Sequence, residues 1–129
     1  MKSKRILSSI LAISMLLPMA ACGQKKTETP SIEGYNLLWS DEFDGTTLDE
    51  TKWNREERQP GWTNNELQEY TKSDENIFVK DGHLVLKAIK TEKNGQPYYT
   101  SGKVQGWNKT QFQYGKVVVS AKVPEGQGL

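Results

Sequence analysis

The stretch NIFVKDGHLVL, residues 76–86, determines the fold class of this chain. Its centre is Asp81-Gly82, and an Asp-Gly pair between two apolar runs is typical of a β-hairpin whose turn residues have positive φ. The run after the turn alternates between two faces, as a half-buried strand does. We therefore predict strands over 76–80 and 83–90, joined by a two-residue turn.

The segments around this hairpin carry further signals of extended structure. Asn94-Gly95 is a second hairpin signal, and no segment after residue 21 repeats apolar residues at helical spacing over three turns. Four further elements are predicted: a short strand over 35–39, one helical turn near 48–53, a return strand over 98–105 and the strongest strand over 111–123. Short strands at this spacing predict an all-β fold, an antiparallel sandwich or barrel.

Composition excludes several classes of function. The 129 residues carry a formal net charge of +1, and the part after residue 21 carries 14 Lys and Arg against 16 Asp and Glu. This slightly acidic body argues against nucleic-acid binding, which needs a basic surface. The chain has one Cys, which excludes an internal disulfide and a multi-cysteine zinc site.

The first 21 residues have the pattern of a secretory signal peptide. A basic start precedes an apolar run over 6–19, which is shorter than the about 20 residues of a transmembrane helix, and Ala20 and Ala21 follow. The alternative is a plain signal peptide followed by an incidental Cys22.

Residues 19–22, Met-Ala-Ala-Cys, resemble the lipobox of bacterial lipoproteins. The resemblance implies that Cys22 is lipidated and that the mature chain is anchored on the extracytoplasmic face of the cell envelope. Residues 22–34 are polar and contain Gly and Pro, and we expect them to form a flexible tether.

Six segments, taken together and in order, resemble glycoside hydrolase family 16, the laminarinase and licheninase group of bacterial β-glucanases. They are LWSDEF (38–43), NNELQEYT (64–71), NIFVKDGHLVL (76–86), YTSGK (99–103), FQYGK (112–116) and VPEGQGL (123–129). The resemblance implies a concanavalin-like β-jelly roll of two antiparallel sheets, which agrees with the predicted strands. Such domains reach about 200–250 residues, so residues 35–129 are expected to be the N-terminal part of one.

The resemblance also implies retaining hydrolysis by two carboxyl groups, which lie about 5–5.5 Å apart in such enzymes. In the family these groups belong to a Glu-x-Asp-x-x-Glu segment downstream of Gly-Gln-Gly-Leu. The 129 residues contain no such segment. We therefore expect no catalytic residue in this chain.

Three residues are candidates for sugar binding. By the resemblance, Asn64 matches a cleft position that hydrogen-bonds sugar hydroxyls. Lys103 stands where relatives often carry Arg, and it offers a point charge instead of a planar fork, so a plain surface lysine is the alternative. The indole of Trp62 could stack on a pyranose ring or pack in the core.

The remaining aromatic residues have other expected roles. Trp107 is open to the same two interpretations as Trp62, with core packing favoured, whereas Trp39 and Trp53 are assigned to the core. His83 opens a strand beside a turn, and we expect it to be structural.

Acidic residues provide two further possibilities. Glu66 and Glu69 would lie on opposite faces of a strand, which disfavours a catalytic pair, so solvated loop acids are expected. By the resemblance, one structural Ca²⁺ could be bound by the backbone carbonyls of Glu42 and Gly82 and by a later Asp that this sequence lacks. The acids around Glu42 do not have EF-hand spacing.

The sequence therefore predicts a lipid-anchored endo-β-glucanase that binds β-glucan, acts on β-1,3- or mixed β-1,3/1,4-linkages, needs no catalytic cofactor and is monomeric at full length. The alternative is a non-catalytic glucan-binding surface lipoprotein of the same fold. A surface adhesion sandwich is a third interpretation.

Overall fold

The computed structural model describes residues 27–126. The expected signal peptide (1–21), the expected lipidation site Cys22 and the segment 127–129 lie outside the described residues. Of the expected tether, residues 27–34 are described; there the Thr29 hydroxyl donates to the Glu42 carboxylate at 2.7 Å, and the Thr27 N–H donates to Asp44 at 3.1 Å.

The described residues form seven strands and no helix. The strands are β1 (Asn54–Arg55), β2 (Gln68–Tyr70), β3 (Ile77–Lys80), β4 (His83–Leu86), β5 (Ile89–Lys93), β6 (Gln96–Ser101) and β7 (Val104–Gln105). They pair as three small sheets, with the orders β1-β7, β2-β6-β5 and β3-β4. Since this part of the chain has no helix, it also has none able to cross a membrane. The all-β prediction is confirmed.

Both predicted hairpins are present. Asp81 and Gly82 have φ of 52° and 76°, and Asn94 and Gly95 have φ of 55° and 74°, as two-residue turns of the primed type require. The first turn joins β3 to β4 and the second joins β5 to β6, both antiparallel. His83 is exposed, and its Nδ1 is 2.7 Å from the Asp81 carbonyl oxygen, which fits a structural role at the turn.

The predicted strand over 83–90 is divided in two, and this corrects the prediction. Asn76 binds the backbone of Lys87 in both directions: the Lys87 N–H donates to the Asn76 carbonyl at 2.8 Å, and Asn76 Nδ2 donates to the Lys87 carbonyl at 2.9 Å. These bonds end the β3–β4 ladder, so that β5 begins in a different sheet. The return strand predicted over 98–105 is similarly interrupted between β6 and β7.

Strand β2 pairs with β6 in parallel, with Glu69 opposite Thr100, whereas purely antiparallel sheets were expected. Parallel neighbours need a long crossover connection, and residues 71–95 provide it. Neither β1 nor β2 was predicted, because their polar sequences show no alternation; their pairing with β7 and β6 defines them as strands.

Two predicted strands are absent from the described residues. The segments 35–39 and 111–123 form no ladder with any other part of residues 27–126, and Val119, for example, is 75% exposed. Alternation gives a segment only a tendency to be extended, and a strand also needs a hydrogen-bonded neighbour. The helical turn near 48–53 is confirmed, since the N–H groups of Lys52 and Trp53 both donate to the Asp49 carbonyl at 3.0 Å.

The described core is small. Its buried apolar side chains are Leu48, Ile77 and Val79. Asn76, also buried, donates through Nδ2 to the Thr100 hydroxyl at 3.1 Å and accepts a 2.6 Å bond from the Thr71 hydroxyl. Together with its bonds to Lys87, these contacts connect the segments around β2, β3, β5 and β6 through one satisfied amide.

The assignment of Trp39 to the core is wrong, because its side chain is 37% exposed. Its ring packs edge-on against Trp53 at 5.4 Å, and the ring of Phe43 stacks on Trp53 at 6.0 Å. Trp53 is half-buried and donates through Nε1 to Asp41 at 2.7 Å. These aromatic rings form a cluster of their own, apart from the core residues.

Candidate functional site

Trp62 lies at the tip of a loop that folds back on itself. The Gly61 N–H donates to the Glu66 carbonyl at 2.8 Å, and Gly61 has φ of 76°, which a glycine adopts without strain. Below the tip, Arg58 and Tyr70 exchange backbone hydrogen bonds of 3.0 and 2.9 Å. The loop is therefore fixed to the sheet at its base, and the Trp62 side chain is 50% exposed, which excludes core packing for this residue.

Two cations lie against the Trp62 ring. Lys103 Nζ is 4.3 Å from the ring centroid, and the guanidinium carbon of Arg58 is 4.8 Å from it. Lys103 is also 5.2 Å from the ring centroid of Tyr70. Contacts of this kind stabilise by about 0.5–1 kcal/mol each at exposed sites. The structure thus brings together Trp62 and Lys103, two of the residues proposed for sugar binding from the sequence.

Asn64 lies in the same loop, two residues beyond Trp62. Asn64 and Asn65 have φ of 51° and 52°, in the left-handed region that Asn tolerates better than most residues. Both side chains are exposed. Trp62, Lys103 and Arg58 together form what we call the Trp62 platform; Asn64 belongs to the same loop as Trp62.

A buried carboxylate supports this platform from beneath. Glu56 is 6% exposed; its Oε1 is 2.5 Å from Arg58 Nη2, and its Oε2 accepts from Gln105 Nε2. The Glu56 N–H donates to the Lys103 carbonyl at 2.9 Å. Glu56 therefore positions one cation through its side chain and the other through its backbone. Sequence reasoning missed it, because nothing in the run Arg55–Arg58 distinguishes a buried acid from a solvated one.

A second polar network lies on the platform side of β2. Glu66 Oε2 accepts from Gln68 Nε2 at 2.9 Å and from the Tyr70 hydroxyl at 3.1 Å. Burial raises the pKa of Tyr70, Gln68 lowers it, and Glu66 raises it again. The Tyr70 phenol therefore stays protonated and can donate.

Glu69 points away from Glu66 and accepts from the hydroxyl of Tyr98 on β6. This hydrogen bond raises the pKa of Tyr98, and burial adds to the shift. The two glutamates have separate partners, as the strand period predicted, so they do not form a catalytic pair. Both are half-buried and hydrogen-bonded, unlike the solvated loop acids that were expected.

The two residues expected at a calcium site both lie near the segment 27–29. A Cβ on Gly82 would be 3.5 Å from the Thr27 hydroxyl, and Glu42 accepts from Thr29. No group of three or more His, Cys, Asp or Glu side chains within residues 27–126 could hold a metal ion. The expected site uses backbone carbonyls, and oxygen donors of this kind suit Ca²⁺.

Trp107 is 67% exposed, so the core packing favoured from the sequence is wrong. Its backbone carbonyl accepts from Asn54 Nδ2 at 2.8 Å. Trp107 is the first residue of the turn 107–109.

Comparison of the sequence and the structure with known proteins finds relatives that are named for β-glucan synthesis or hydrolysis. A family model described as "Beta-glucan synthesis-associated protein SKN1/KRE6/Sbg1" matches residues 6–129. The chain is 44% identical over 114 residues to the glucan endo-1,3-beta-glucosidase A1 of Niallia circulans, covering 78% of this chain and 17% of that protein. It is 32% identical over 131 residues to the beta-glucanase of Rhodothermus marinus, covering 99% of this chain and 45% of that one.

A solved structure of a non-specific endo-beta-1,3(4)-glucanase from family GH16 superimposes with a TM-score of 0.52 at 33% identity, covering 71% of this chain and 38% of that one. The chain spans less than half the length of these relatives. Their names agree with the resemblance to family 16 found in the sequence, and the structural match supports the jelly-roll interpretation. Because the family model matches nearly the whole sequence, the chain belongs to the family of beta-glucan synthesis-associated proteins SKN1/KRE6/Sbg1, with laminarinases and β-glucanases among its relatives.

Proposed function

We propose that this chain is the glucan-binding N-terminal part of a jelly-roll endo-β-glucanase acting on β-1,3- or mixed β-1,3/1,4-glucan. The observation that carries the proposal is the Trp62 platform, in which a half-exposed indole lies against two cations. The names of the relatives support the choice of polymer. In this proposal hydrolysis is retaining, and a Glu-x-Asp-x-x-Glu segment outside these 129 residues supplies the nucleophile and the acid/base.

The platform has the chemistry that a neutral sugar needs. The open part of the Trp62 ring offers an apolar surface to the C–H face of a pyranose. Lys103 and Arg58, which lie over the ring, and the amide of Asn64 in the same loop would supply hydrogen-bond donors to the sugar hydroxyls. Because Glu56 fixes Arg58, less side-chain entropy is lost on binding.

A non-catalytic glucan-binding lipoprotein of the same fold is the second candidate. One observation favours it: the matching family is described as synthesis-associated. The coding sequence beyond codon 129 separates the two candidates. Carboxylates at both outer positions of such a segment would support the hydrolase, and Gln or Ala at those positions would support the binding protein.

We further propose that Cys22 carries lipid and holds the protein on the extracytoplasmic face of the cell envelope. The tether 22–34 would then place the domain at a short distance from the membrane. The proposal also includes one structural Ca²⁺, bound by the carbonyls of Glu42 and Gly82 together with a carboxylate from outside this chain. In this proposal the full-length protein is a monomer.

Affinity electrophoresis in gels containing laminarin or lichenan tests glucan binding. We expect both polymers to retard the full chain and Trp62→Ala to reduce the retardation, whereas Tyr114→Ala should migrate like wild type. Tyr114 is a matched control because it is an exposed aromatic residue in a different segment. Equal retardation of Trp62→Ala and wild type would contradict the platform, and no retardation of wild type would contradict glucan binding.

A further inference from the structure

A polar cavity is lined by Arg58 but not by Trp62. It has a volume of about 470 Å³ and lies between β1, β7 and the segment 106–109. This volume is within the range of about 300–1,000 Å³ typical of small-molecule sites. Arg58 lines the cavity and also lies over the Trp62 ring, so the cavity and the Trp62 platform are neighbours but use different aromatic residues.

Trp107 stands on an anchored turn at the edge of this cavity. The N–H groups of Lys109 and Thr110 donate to the Gly106 carbonyl at 3.0 and 2.9 Å. Lys109 Nζ donates to the carbonyl of Trp53 at 2.6 Å and to that of Glu50, and Asn54 Nδ2 donates to the Trp107 carbonyl at 2.8 Å. The backbone beneath the indole is therefore fixed, while two-thirds of the side chain is open to solvent.

The four cations and two carboxylates of the cavity wall all have partners within the protein. Arg58 binds Glu56 at 2.5 Å, and Lys72 lies 3.6 Å from Glu57. Arg55 pairs with Asp74 at 2.8 Å and donates to the Lys72 carbonyl at 2.8 Å. Lys109, the fourth cation of the wall, donates to two backbone carbonyls. Each cation of the wall therefore already has a partner within the protein, which leaves fewer of its donors free for an ionic ligand.

The wall also offers hydrogen-bonding groups to a ligand. The hydrogen bonds within residues 27–126 engage Asn54 through Nδ2 and Gln105 through Nε2, which leaves both amide oxygens as acceptors. Asn108, with φ of 60°, follows Trp107 directly and adds a third amide to the cavity wall. Planar amides beside an exposed indole suit a ligand with hydroxyl groups around an apolar ring.

We propose that this cavity is a second saccharide-binding site, in which Trp107 stacks on a neutral pyranose ring and the amides of Asn54, Gln105 and Asn108 bind its hydroxyls. The inference rests on the proposed function only for the choice of a β-glucan as ligand. The site shares Arg58 with the Trp62 platform, but its aromatic surface and its three amides belong to β1, β7 and the following turn.

The test is a titration of the ¹⁵N-tryptophan-labelled full chain with a β-1,3-linked glucotetraose, observed through the indole N–H signals in NMR spectra. Single Trp→Phe variants assign the signals. We expect the Trp107 signal to move with saturation, and to move equally in Trp62→Ala. Trp107→Ala should weaken binding at this site by about tenfold or more, and Asn108→Ala, which keeps the indole, should weaken it less. Tyr114→Ala should leave both titrations unchanged.

The outcomes separate this inference from the proposed function. Movement of the Trp62 signal alone, up to saturation, would overturn the second site and leave the Trp62 platform standing. Movement of the Trp107 signal alone would support the second site and count against the platform. If neither signal moves in a chain whose spectrum is dispersed as for a folded protein, both are wrong. Loss of the Trp107 response in Trp62→Ala would also overturn an independent site.

Discussion

Gly102, between β6 and β7, is the position where a single added methyl group should do the most damage. A Cβ there would overlap the Asn76 carbonyl oxygen and lie 2.6 Å from Ile77 Cγ1 and 3.0 Å from the Asn76 carbonyl carbon. Asn76 and Ile77 are 2% and 0% exposed, and two of these three atoms belong to the backbone. The clash therefore cannot be relieved by rotating a flexible side chain.

The expected cost of Gly102→Ala has two parts. Overpacking in a core costs about 1–3 kcal/mol. If Asn76 moves, its bonds to Thr71, Thr100 and Lys87 lengthen, and each lost hydrogen bond of a buried group adds about 1 kcal/mol. We expect a total loss of about 2–4 kcal/mol in the free energy of unfolding, which is a large fraction of the stability of an ordinary domain.

Urea unfolding of the full chain followed by far-ultraviolet circular dichroism measures this loss. Gly45→Ala is the matched control, because a Cβ at Gly45 meets nothing closer than 3.5 Å; we expect it to change stability by less than about 0.5 kcal/mol. If Gly102→Ala were as stable as Gly45→Ala, the close approach between Gly102 and Asn76 would be refuted.

Three further changes test other parts of the argument. Gly82→Val places a β-branched residue at φ of 76° and should destabilise the β3–β4 hairpin by about 1 kcal/mol or more; an unchanged melting temperature would refute the turn. The hydrogen bond to Glu69 raises the pKa of Tyr98 above its ordinary 10.0, so this contact stabilises the folded chain below that pH and is lost as the pH rises through the raised pKa. Glu69→Gln should therefore lower the midpoint of the phenol absorbance titration. An unmoved midpoint would exclude the contact. Cys22→Ser should abolish labelling with palmitate and release the protein from the membrane fraction, and continued labelling would exclude this residue as the lipid site.

The features that sequence reasoning predicted well depend on local interactions. Asp81-Gly82 and Asn94-Gly95 determine their own backbone angles, so both hairpins follow from a few neighbouring residues. The segment 111–123 shows the opposite case: its alternation of valines is strong, but a strand also requires a partner, and no segment of the described chain pairs with it.

The candidate site was predictable only in part for a related reason. Lys103 was found through a family resemblance and Trp62 through the stacking chemistry of its indole, and the structure brings them together. Glu56 was not found, because its role depends on burial beneath Arg58 and on a contact with Gln105, far along the chain. The exposure of Trp107 and Trp39 was also missed, since the sequence alone does not show which neighbours would cover an indole.

The parallel pairing of β2 with β6 has a consequence for the order of folding. The two hairpins close over short loops and should form within about 1–10 μs, but β2 finds its register only after the crossover 71–95 has been built. The Trp62 loop is attached to β2 through Arg58 and Tyr70, so it should become ordered at this late step. A mutation that weakens either hairpin should therefore delay formation of the surface around Trp62, even though neither turn touches it.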